Sequence, residues 1–149
     1  ERRKFLDRQT LAHFPEHARH TAAYERAMRE RNALLEQGRI DPVWLDGLEA
    51  RLAEHGAAIA RHRTVTLERL QQAVDTRPDG AFPKADLSLN GAVEEAWAQG
   101  QEYTAILELM TRSYRDGRRR DAGPSNSAVD AAEAATTAAE AVVVVAVGS

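Results

Sequence analysis

The side chains in this sequence that could bind a metal ion or move a proton near neutral pH are its five histidines: His13, His17, His20, His55 and His62. A metal site needs several ligands that converge from rigid elements, and Pro15 breaks the element between the first two histidines. The HExxH pattern of zinc proteases does not occur. We therefore expect no metal ligand here and interpret the histidines as solvated or capping residues.

The lysines test for nucleotide chemistry. In a P-loop, Gly-Lys precedes Ser or Thr, because the backbone cradles the phosphates, the lysine reaches them and the hydroxyl holds Mg²⁺. Lys4 follows Arg3 and Lys84 follows Pro83, so neither lysine stands in a P-loop. The GxSxG and GxGxxG patterns are absent as well. We expect no catalytic and no cofactor-binding residue, and no ATP hydrolysis by this chain alone.

Two basic clusters are candidates for contact with nucleic acid. They are Arg2, Arg3 and Lys4 at the start of the chain, and Arg118, Arg119 and Arg120 near the end of a predicted helix. A guanidinium binds phosphate through paired hydrogen bonds, and such contacts give affinity without sequence recognition. The competing interpretation is a basic helix end that is stabilised by the helix dipole. Spacing alone favours this second interpretation.

The formal net charge of −3 is unevenly distributed. From Asp121 onward there are four acidic side chains and no basic one, so residues 1–120 carry a charge of +1. The absence of cysteine excludes disulfides, thiolate zinc sites and cysteine nucleophiles. The longest apolar run, 141–147, is far shorter than the roughly 20 residues of a membrane span. We expect a cytoplasmic chain and, since it does not begin with methionine, an internal piece of a longer protein.

The spacing of apolar residues predicts helices over residues 1–12, 16–37, 42–75 and 93–114, the last weakened at Gly100. On the second helix, the apolar face includes one charged residue, Arg31. Gly38 ends that helix, and Asp41 before Pro42 marks the start of the third.

The third predicted helix determines the architecture. Leu45, Leu52 and Ile59 recur every seven residues, and the helix would be about 50 Å long. A helix of that length cannot bury its apolar stripe against a compact core of this size. We therefore predict an antiparallel hairpin with the preceding helix. Gly56 lies in a small-residue patch and is either a tolerated helix-interior glycine or a point of close contact.

One short strand is predicted over residues 85–90, where Leu87 and Leu89 alternate with polar residues. The body of the chain offers no second convincing strand, so we expect its partner strands to lie outside the chain. Residues 123–149 are rich in Ala and Val. We interpret them as a low-complexity tail, disordered or foreign to the fold, in which VVVVAV is an aggregation-prone segment.

Several sequence segments resemble the RecF family of bacterial recombination mediators and DNA repair ATPases: ERRKFLDR at 1–8, AYERAMRERNALL at 23–35, DPVWLDGLEARLAEHGAAIARHR at 41–63, FPKADLSLNG at 82–91, and Tyr114 with RRRDAG at 118–123. They occur in the same order as in the middle of those proteins. The resemblance covers residues 1–123.

The resemblance implies an ATP-binding-cassette head, related to that of the structural maintenance of chromosomes proteins, with an inserted helical arm. We accordingly predict a mainly α fold, with a long antiparallel coiled-coil-like hairpin, flanking helices and one short strand from an incomplete head. The predicted domains are 1–16 in the head, 17–76 as the arm, 77–122 as the return to the head, and 123–149 as the tail.

In function, the resemblance implies binding of ATP with Mg²⁺ and of single- and double-stranded DNA, in single-stranded gap repair and the SOS response. It implies other recombination mediators as partners, an ATP-dependent homodimer and a weak DNA-dependent ATPase. The P-loop, signature and Walker B motifs of the family are absent from this chain, so it should be inactive alone. The two basic clusters would lie on its DNA-facing side.

The resemblance does not extend to the tail, and one competing function stays open. The tail after residue 123 resembles nothing in the family, so we expect an incomplete or frame-disrupted RecF. The competing function is a stand-alone helical hairpin that binds another protein through its heptad face and has no nucleotide role.

Overall fold

The computed structural model describes residues 2–38, 41–78, 80, 85–122 and 142–147. In this part of the chain there are five helices and two strands: α1 (Arg2–His13), α2 (His17–Glu36), α3 (Pro42–Asp75), β1 (Ala85–Asn90), α4 (Ala92–Ala98), α5 (Tyr103–Asp121) and β2 (Val142–Val147). The predicted, mainly helical fold is confirmed. Its derivation from an ATPase head stays a prediction, as do the domain boundaries.

Local sequence fixes both sides of the turn between α2 and α3. Gly38 has a φ of +66°, a left-handed conformation that residues with a Cβ disfavour. The Asp41 carboxylate accepts hydrogen bonds from the backbone N–H groups of Val43 at 3.0 Å and Trp44 at 3.3 Å. Pro42 occupies the first turn, where its missing N–H has no intrahelical partner to lose. The predicted start of α3 is confirmed, and the helix continues for 34 residues.

The heptad stripe of α3 forms the centre of the core. Its most buried members, none more than 3% exposed, are Leu45, Leu48, Leu52 and Ile59. They share a cluster with five residues of α2: Tyr24, Ala27, Met28, Leu34 and Leu35. The Arg31–Glu49 ion pair lies nearer the turn than the His20–His55 contact, which is the order that an antiparallel pair requires. The predicted hairpin is therefore confirmed.

The predicted fourth helix is two helices, because α4 ends at Ala98 and α5 begins at Tyr103. Gly100 lies between them with a φ of +75°, a left-handed conformation that breaks the helix. The sequence predicts only a weakened helix at this glycine. The break lets both helices pack on α3. Their buried residues join the small-residue patch of α3 in one cluster: Ala53, Ala57, Ala60, Val93, Ala96, Ile106 and Met110.

Gly56 is a contact point between three helices. A Cβ at this position would lie 2.5 Å from the Met110 side chain of α5 and 3.1 Å from the Tyr24 ring of α2. Such distances leave no room for a branched side chain without repacking. Of the two interpretations of this glycine, close contact is the one that the structure supports.

Replacing Gly56 by valine is expected to lower the free energy of unfolding by about 1–3 kcal/mol, because it overpacks the junction of α2, α3 and α5. Gly47 is the matched control, since it lies in the same helix and a Cβ there meets nothing within 4 Å. Gly47→Val should leave stability unchanged or slightly higher. Urea unfolding followed by circular dichroism measures both variants. Equal midpoints for the two would contradict the contact at Gly56.

The predicted strand at residues 85–90 is confirmed as β1, but the expectation that its partner lies outside the chain is wrong. β1 pairs in antiparallel register with β2, from Ala85 opposite Val147 to Asn90 opposite Val142. The VVVVAV segment has the β-branched composition that favours a strand, so it supplies the missing partner. Residues 123–141 lie outside the described residues, and the interpretation of that part of the tail stays a prediction.

Candidate functional site

A network of buried charged groups joins α2, α3 and α5. The side chains of Arg31 and Glu49 are each 2% exposed, and Nε of the arginine lies 3.1 Å from Oε2 of the glutamate. The same guanidinium donates from Nη1 to Asp121 at 2.9 Å and from Nη2 to the carbonyl oxygen of Tyr114 at 2.8 Å. Each of the three guanidinium nitrogens therefore has a partner, which makes burial of this charge tolerable.

Arg118 belongs to this network rather than to an open surface. Its Nε donates to both carboxylate oxygens of Glu49, at 3.1 and 3.0 Å, and its Nη2 contacts Asp46 at 2.6 Å. The Arg118 side chain is 12% exposed. The hydrogen bond from Arg118 lowers the pKa of Asp46 and keeps that carboxylate charged. A phosphate would have to displace two carboxylates to reach this guanidinium, so the geometry assigns Arg118 to packing.

The two neighbours of Arg118 are placed differently. Arg119 is exposed and makes no hydrogen bond or ion pair with a described residue. The Arg120 side chain is 81% exposed, and its Nε lies 3.7 Å from Oδ1 of Asp121. Of the predicted α5 cluster, these two guanidinium groups are available to a ligand.

The basic cluster at the start of the chain is separate from the one on α5. Lys4 is exposed on α1, and the side chains of Arg2 and Arg3 lie outside the described residues. α1 packs on α3 near Arg63, which donates to Asp7 at 3.0 Å, whereas α5 reaches α3 near Asp46. The two points are 17 positions apart on α3, about 25 Å at 1.5 Å per residue. The two predicted clusters therefore do not form one patch.

Four of the five histidines meet between α2 and α3, which the sequence interpretation missed. His20 and His55 place their Nδ1 atoms 3.0 Å apart. The rings of His17 and His20 lie 5.8 and 5.7 Å from that of His62. The interpretation of all five as solvated or capping residues is wrong for His17, which is buried. The seven-residue spacing of His55 and His62 on one helix face was the available signal.

No group of three or more histidine or carboxylate side chains within the described residues is arranged to hold a metal ion. Phe14 stacks on His62 at a centroid distance of 4.4 Å, which covers one face of the cluster. Burial, and then the neighbouring imidazole of His55, lower the pKa of His20. Burial and then His17 do the same for the pKa of His62. The fold therefore favours the neutral imidazoles of His20 and His62.

The histidine cluster should make the fold sensitive to mild acid. Because the pKa values of His20 and His62 are lower in the fold than in the unfolded chain, the unfolded chain binds more protons below the ordinary histidine pKa. Stability should fall between about pH 7 and 5, by at most about 1.4 kcal/mol per pH unit for each histidine. His20→Gln with His62→Gln should flatten this slope in urea unfolding, whereas His13→Gln, at an exposed site, should not. An unchanged slope in the double variant would contradict the account.

Glu94 of α4 is a second group that the sequence did not reveal. Its side chain is buried at 2% exposure, and neither carboxylate oxygen has a hydrogen-bond partner in the described structure. Burial raises the pKa of this carboxyl group, and its own backbone N–H and the positive charge of Arg63 on α3 offset the rise only in part. An unpaired buried carboxylate is a cost to stability.

Replacing Glu94 by glutamine is expected to stabilise the chain by about 1 kcal/mol at pH 7.5, because it removes a buried charge whose oxygens accept no hydrogen bond and keeps the shape. The raised pKa of Glu94 means that the penalty is present at high pH and is relieved as the carboxyl group protonates. The gain should therefore shrink toward pH 4. Thermal unfolding at both pH values measures it, and a destabilised variant at pH 7.5 would contradict this assignment.

Among the described residues, none of the helices combines the length and the hydropathy that crossing a lipid bilayer requires.

Comparison with curated proteins shows that this chain is similar to proteins that share one name. It is 43% identical over 128 residues to "DNA replication and repair protein RecF" of Agrobacterium fabrum, which covers 82% of this chain and 32% of the relative. The RecF protein of Rhizobium etli is 40% identical over 131 residues, 83% of this chain and 35% of the relative. That of Brucella abortus is 43% identical over 123 residues, 81% of this chain and 32% of the relative.

The predicted resemblance to RecF is confirmed by these identities. The chain is homologous to a segment of RecF proteins and spans about a third of the length of the curated relatives it matches. No protein-family model matches the chain, and no solved structure does.

Proposed function

We propose that this chain, as a homologue of about a third of a RecF protein, serves DNA replication and repair and contributes DNA-backbone contacts through the exposed arginines of α5. The observation that carries the proposal is the 40–43% identity to RecF proteins over about four fifths of the chain. Those relatives are named for DNA replication and repair. Cytoplasmic location, single-stranded gap repair and an SOS role are part of the same proposal.

Electrostatics supports a phosphate ligand at the end of α5. Arg119 and Arg120 project from the last turn of this helix and are exposed. Guanidinium groups without strong carboxylate partners can form charge-assisted hydrogen bonds with phosphate oxygens. Such contacts position a protein on DNA without recognising its sequence. Lys4, Arg2 and Arg3 are proposed as a second, separate contact, since α1 meets α3 some distance from α5.

ATP with Mg²⁺ belongs to the proposal only through parts of a RecF-length polypeptide that this chain does not include. The residues present do not fit the nucleotide. Lys4 follows Arg3 and Lys84 follows Pro83, where a P-loop lysine follows glycine, and no three carboxylate or histidine groups in the described structure could hold a cation. We derive no catalytic step through ATP. Homodimerisation and binding of other recombination mediators are likewise proposed for the longer protein.

The experiment that tests the proposal is a titration of fluorescent single- and double-stranded oligonucleotides with this chain at several salt concentrations. Phosphate contacts release counterions, so the logarithm of the affinity should fall linearly with the logarithm of the salt concentration. We expect binding to both DNA forms, because contacts with the backbone do not depend on base pairing. Lack of binding at low salt would contradict the proposal.

A helical-hairpin interaction module is the second candidate function. The heptad face cannot serve as its docking surface, since Leu45, Leu48 and Leu52 are buried within the chain itself. The start of α3 offers another surface, because Val43 is 82% and Trp44 54% exposed beside the hairpin turn. Association through this surface should persist at high salt and be lost in Val43→Ser with Trp44→Ser. Sedimentation at low and high salt separates it from DNA-dependent association.

A further inference from the structure

An acidic cleft lies between α3, β1 and α4, away from the arginines of α5. It has a volume of about 530 Å³. Its walls combine three leucines with three carboxylates: Leu67, Leu87, Leu89, Glu68, Glu94 and Glu95. A mixed apolar and acidic lining suits a ligand that has a hydrocarbon part and a positive charge.

Glu94 is the group in this cleft whose carboxylate lacks a hydrogen-bond partner, although the positive charge of Arg63 on α3 offsets part of the rise that burial causes in its pKa. Glu94 is only 2% exposed, and neither of its carboxylate oxygens accepts a hydrogen bond in the described structure. Glu68 and Glu95, by contrast, are exposed at the cleft. The oxygens of a buried carboxylate normally accept hydrogen bonds, and Arg63 donates none to this one, so Glu94 points to a missing hydrogen-bond donor.

The geometry selects the class of that partner. An anion would be repelled by three carboxylates. A metal ion would need several converging ligands, and none of the acidic and histidine groups of the described residues form such a set. An arginine side chain fits, since its methylene stem can lie on the leucines while the guanidinium donates two parallel hydrogen bonds to the carboxylate.

The lengths of the relatives indicate where such an arginine would come from. The chain covers 32% of the Agrobacterium fabrum protein, so about two thirds of a RecF-length polypeptide lie outside the matched segment. We propose that the Glu94 cleft is an intramolecular docking site that receives an arginine side chain from that remainder. The docking site rests on the geometry of the cleft and on the homology, and it does not depend on DNA binding by α5.

The first test measures the cleft in the chain by itself. N-acetylargininamide is titrated into isotope-labelled protein, and the methyl signals of Leu87 and Leu89 are followed by NMR. We expect saturable shifts, with binding at least about tenfold weaker for N-acetylcitrullinamide, which has the same shape but no charge. Glu94→Gln should abolish the shifts, whereas Glu102→Gln, at an exposed site outside the cleft, should keep them. Equal binding of the two amides would overturn the proposal.

The second test identifies the source of the arginine. This chain is placed in the full-length Agrobacterium fabrum protein in exchange for the matched segment, and Glu94→Gln is made in both contexts. In the chain alone the substitution should raise the melting temperature at pH 7.5, since it removes an unpaired carboxylate. In the full-length protein it should lower the melting temperature, because it breaks the pair with the docked arginine. A rise in both contexts would overturn the intramolecular docking site, and would leave the DNA-binding result unaffected.

Discussion

Replacing Glu49 by alanine is expected to lower the free energy of unfolding by about 3–5 kcal/mol, a large share of the roughly 5–15 kcal/mol that stabilises a typical domain. Glu49 accepts hydrogen bonds from Arg31 on α2 and Arg118 on α5, and its side chain is 2% exposed. Its removal leaves a buried guanidinium without its main counter-charge. That uncompensated charge, rather than the lost attraction, is the main cost.

Urea unfolding followed by circular dichroism measures the effect. Glu54→Ala is the matched control, because Glu54 is exposed on the same helix, and its loss should change stability by less than about 0.5 kcal/mol. A second variant, Glu49→Leu with Arg31→Met, removes both buried charges together and should recover much of the lost stability. A loss below about 1 kcal/mol for Glu49→Ala would show that the network does not hold the three helices together.

Replacing Arg119 and Arg120 by glutamine is expected to weaken DNA binding about tenfold near physiological salt and to reduce the salt slope by about 2, one for each phosphate contact. Both side chains are exposed, so the fold should not change. Arg118 is left out of the variant because its side chain is only 12% exposed. Its loss would disrupt the contacts with Glu49 and Asp46, and weaker binding would then report a damaged fold.

The matched control is Arg26→Gln with Arg29→Gln, which removes two positive charges from exposed positions on α2. If net charge alone governs binding, both double variants should lose the same affinity. We expect the control to retain most of its affinity and nearly all of its salt slope, because phosphate contacts are local. Fluorescence anisotropy at four salt concentrations measures both. Equal losses would contradict a specific contact at the end of α5.

The hairpin was predictable because its signals are local. The cap at Asp41, the stop at Gly38 and the heptad leucines each follow from residues close together in sequence. The partner of β1 was not, because strand pairing joins residues about 57 positions apart and nothing local to β1 specifies β2. The composition of the VVVVAV segment fits an aggregation-prone tail and a paired strand equally well, so composition alone could not identify it as the partner of β1.

The network of buried charged groups was likewise only partly predictable from the sequence. Arg31 already stood on the apolar face of its predicted helix, which was a signal of burial. Its partners Glu49 and Asp121 are 18 and 90 residues away, and no spacing rule links them to it. The cluster of Arg118, Arg119 and Arg120 looks uniform in sequence. The helix rotates each residue by about 100°, so one guanidinium turns toward α3 while its two neighbours face solvent.

The central claim is that the end of α5 contacts DNA and that the α2–α3 hairpin holds α5 in place. The most direct measurement is an NMR titration of the labelled chain with a short DNA duplex, which maps the amide signals that shift. We predict shifts centred on Arg119 and Arg120, with little change at Val43 and Trp44 beside the hairpin turn. Shifts confined to the start of α3, or none at low salt, would contradict it.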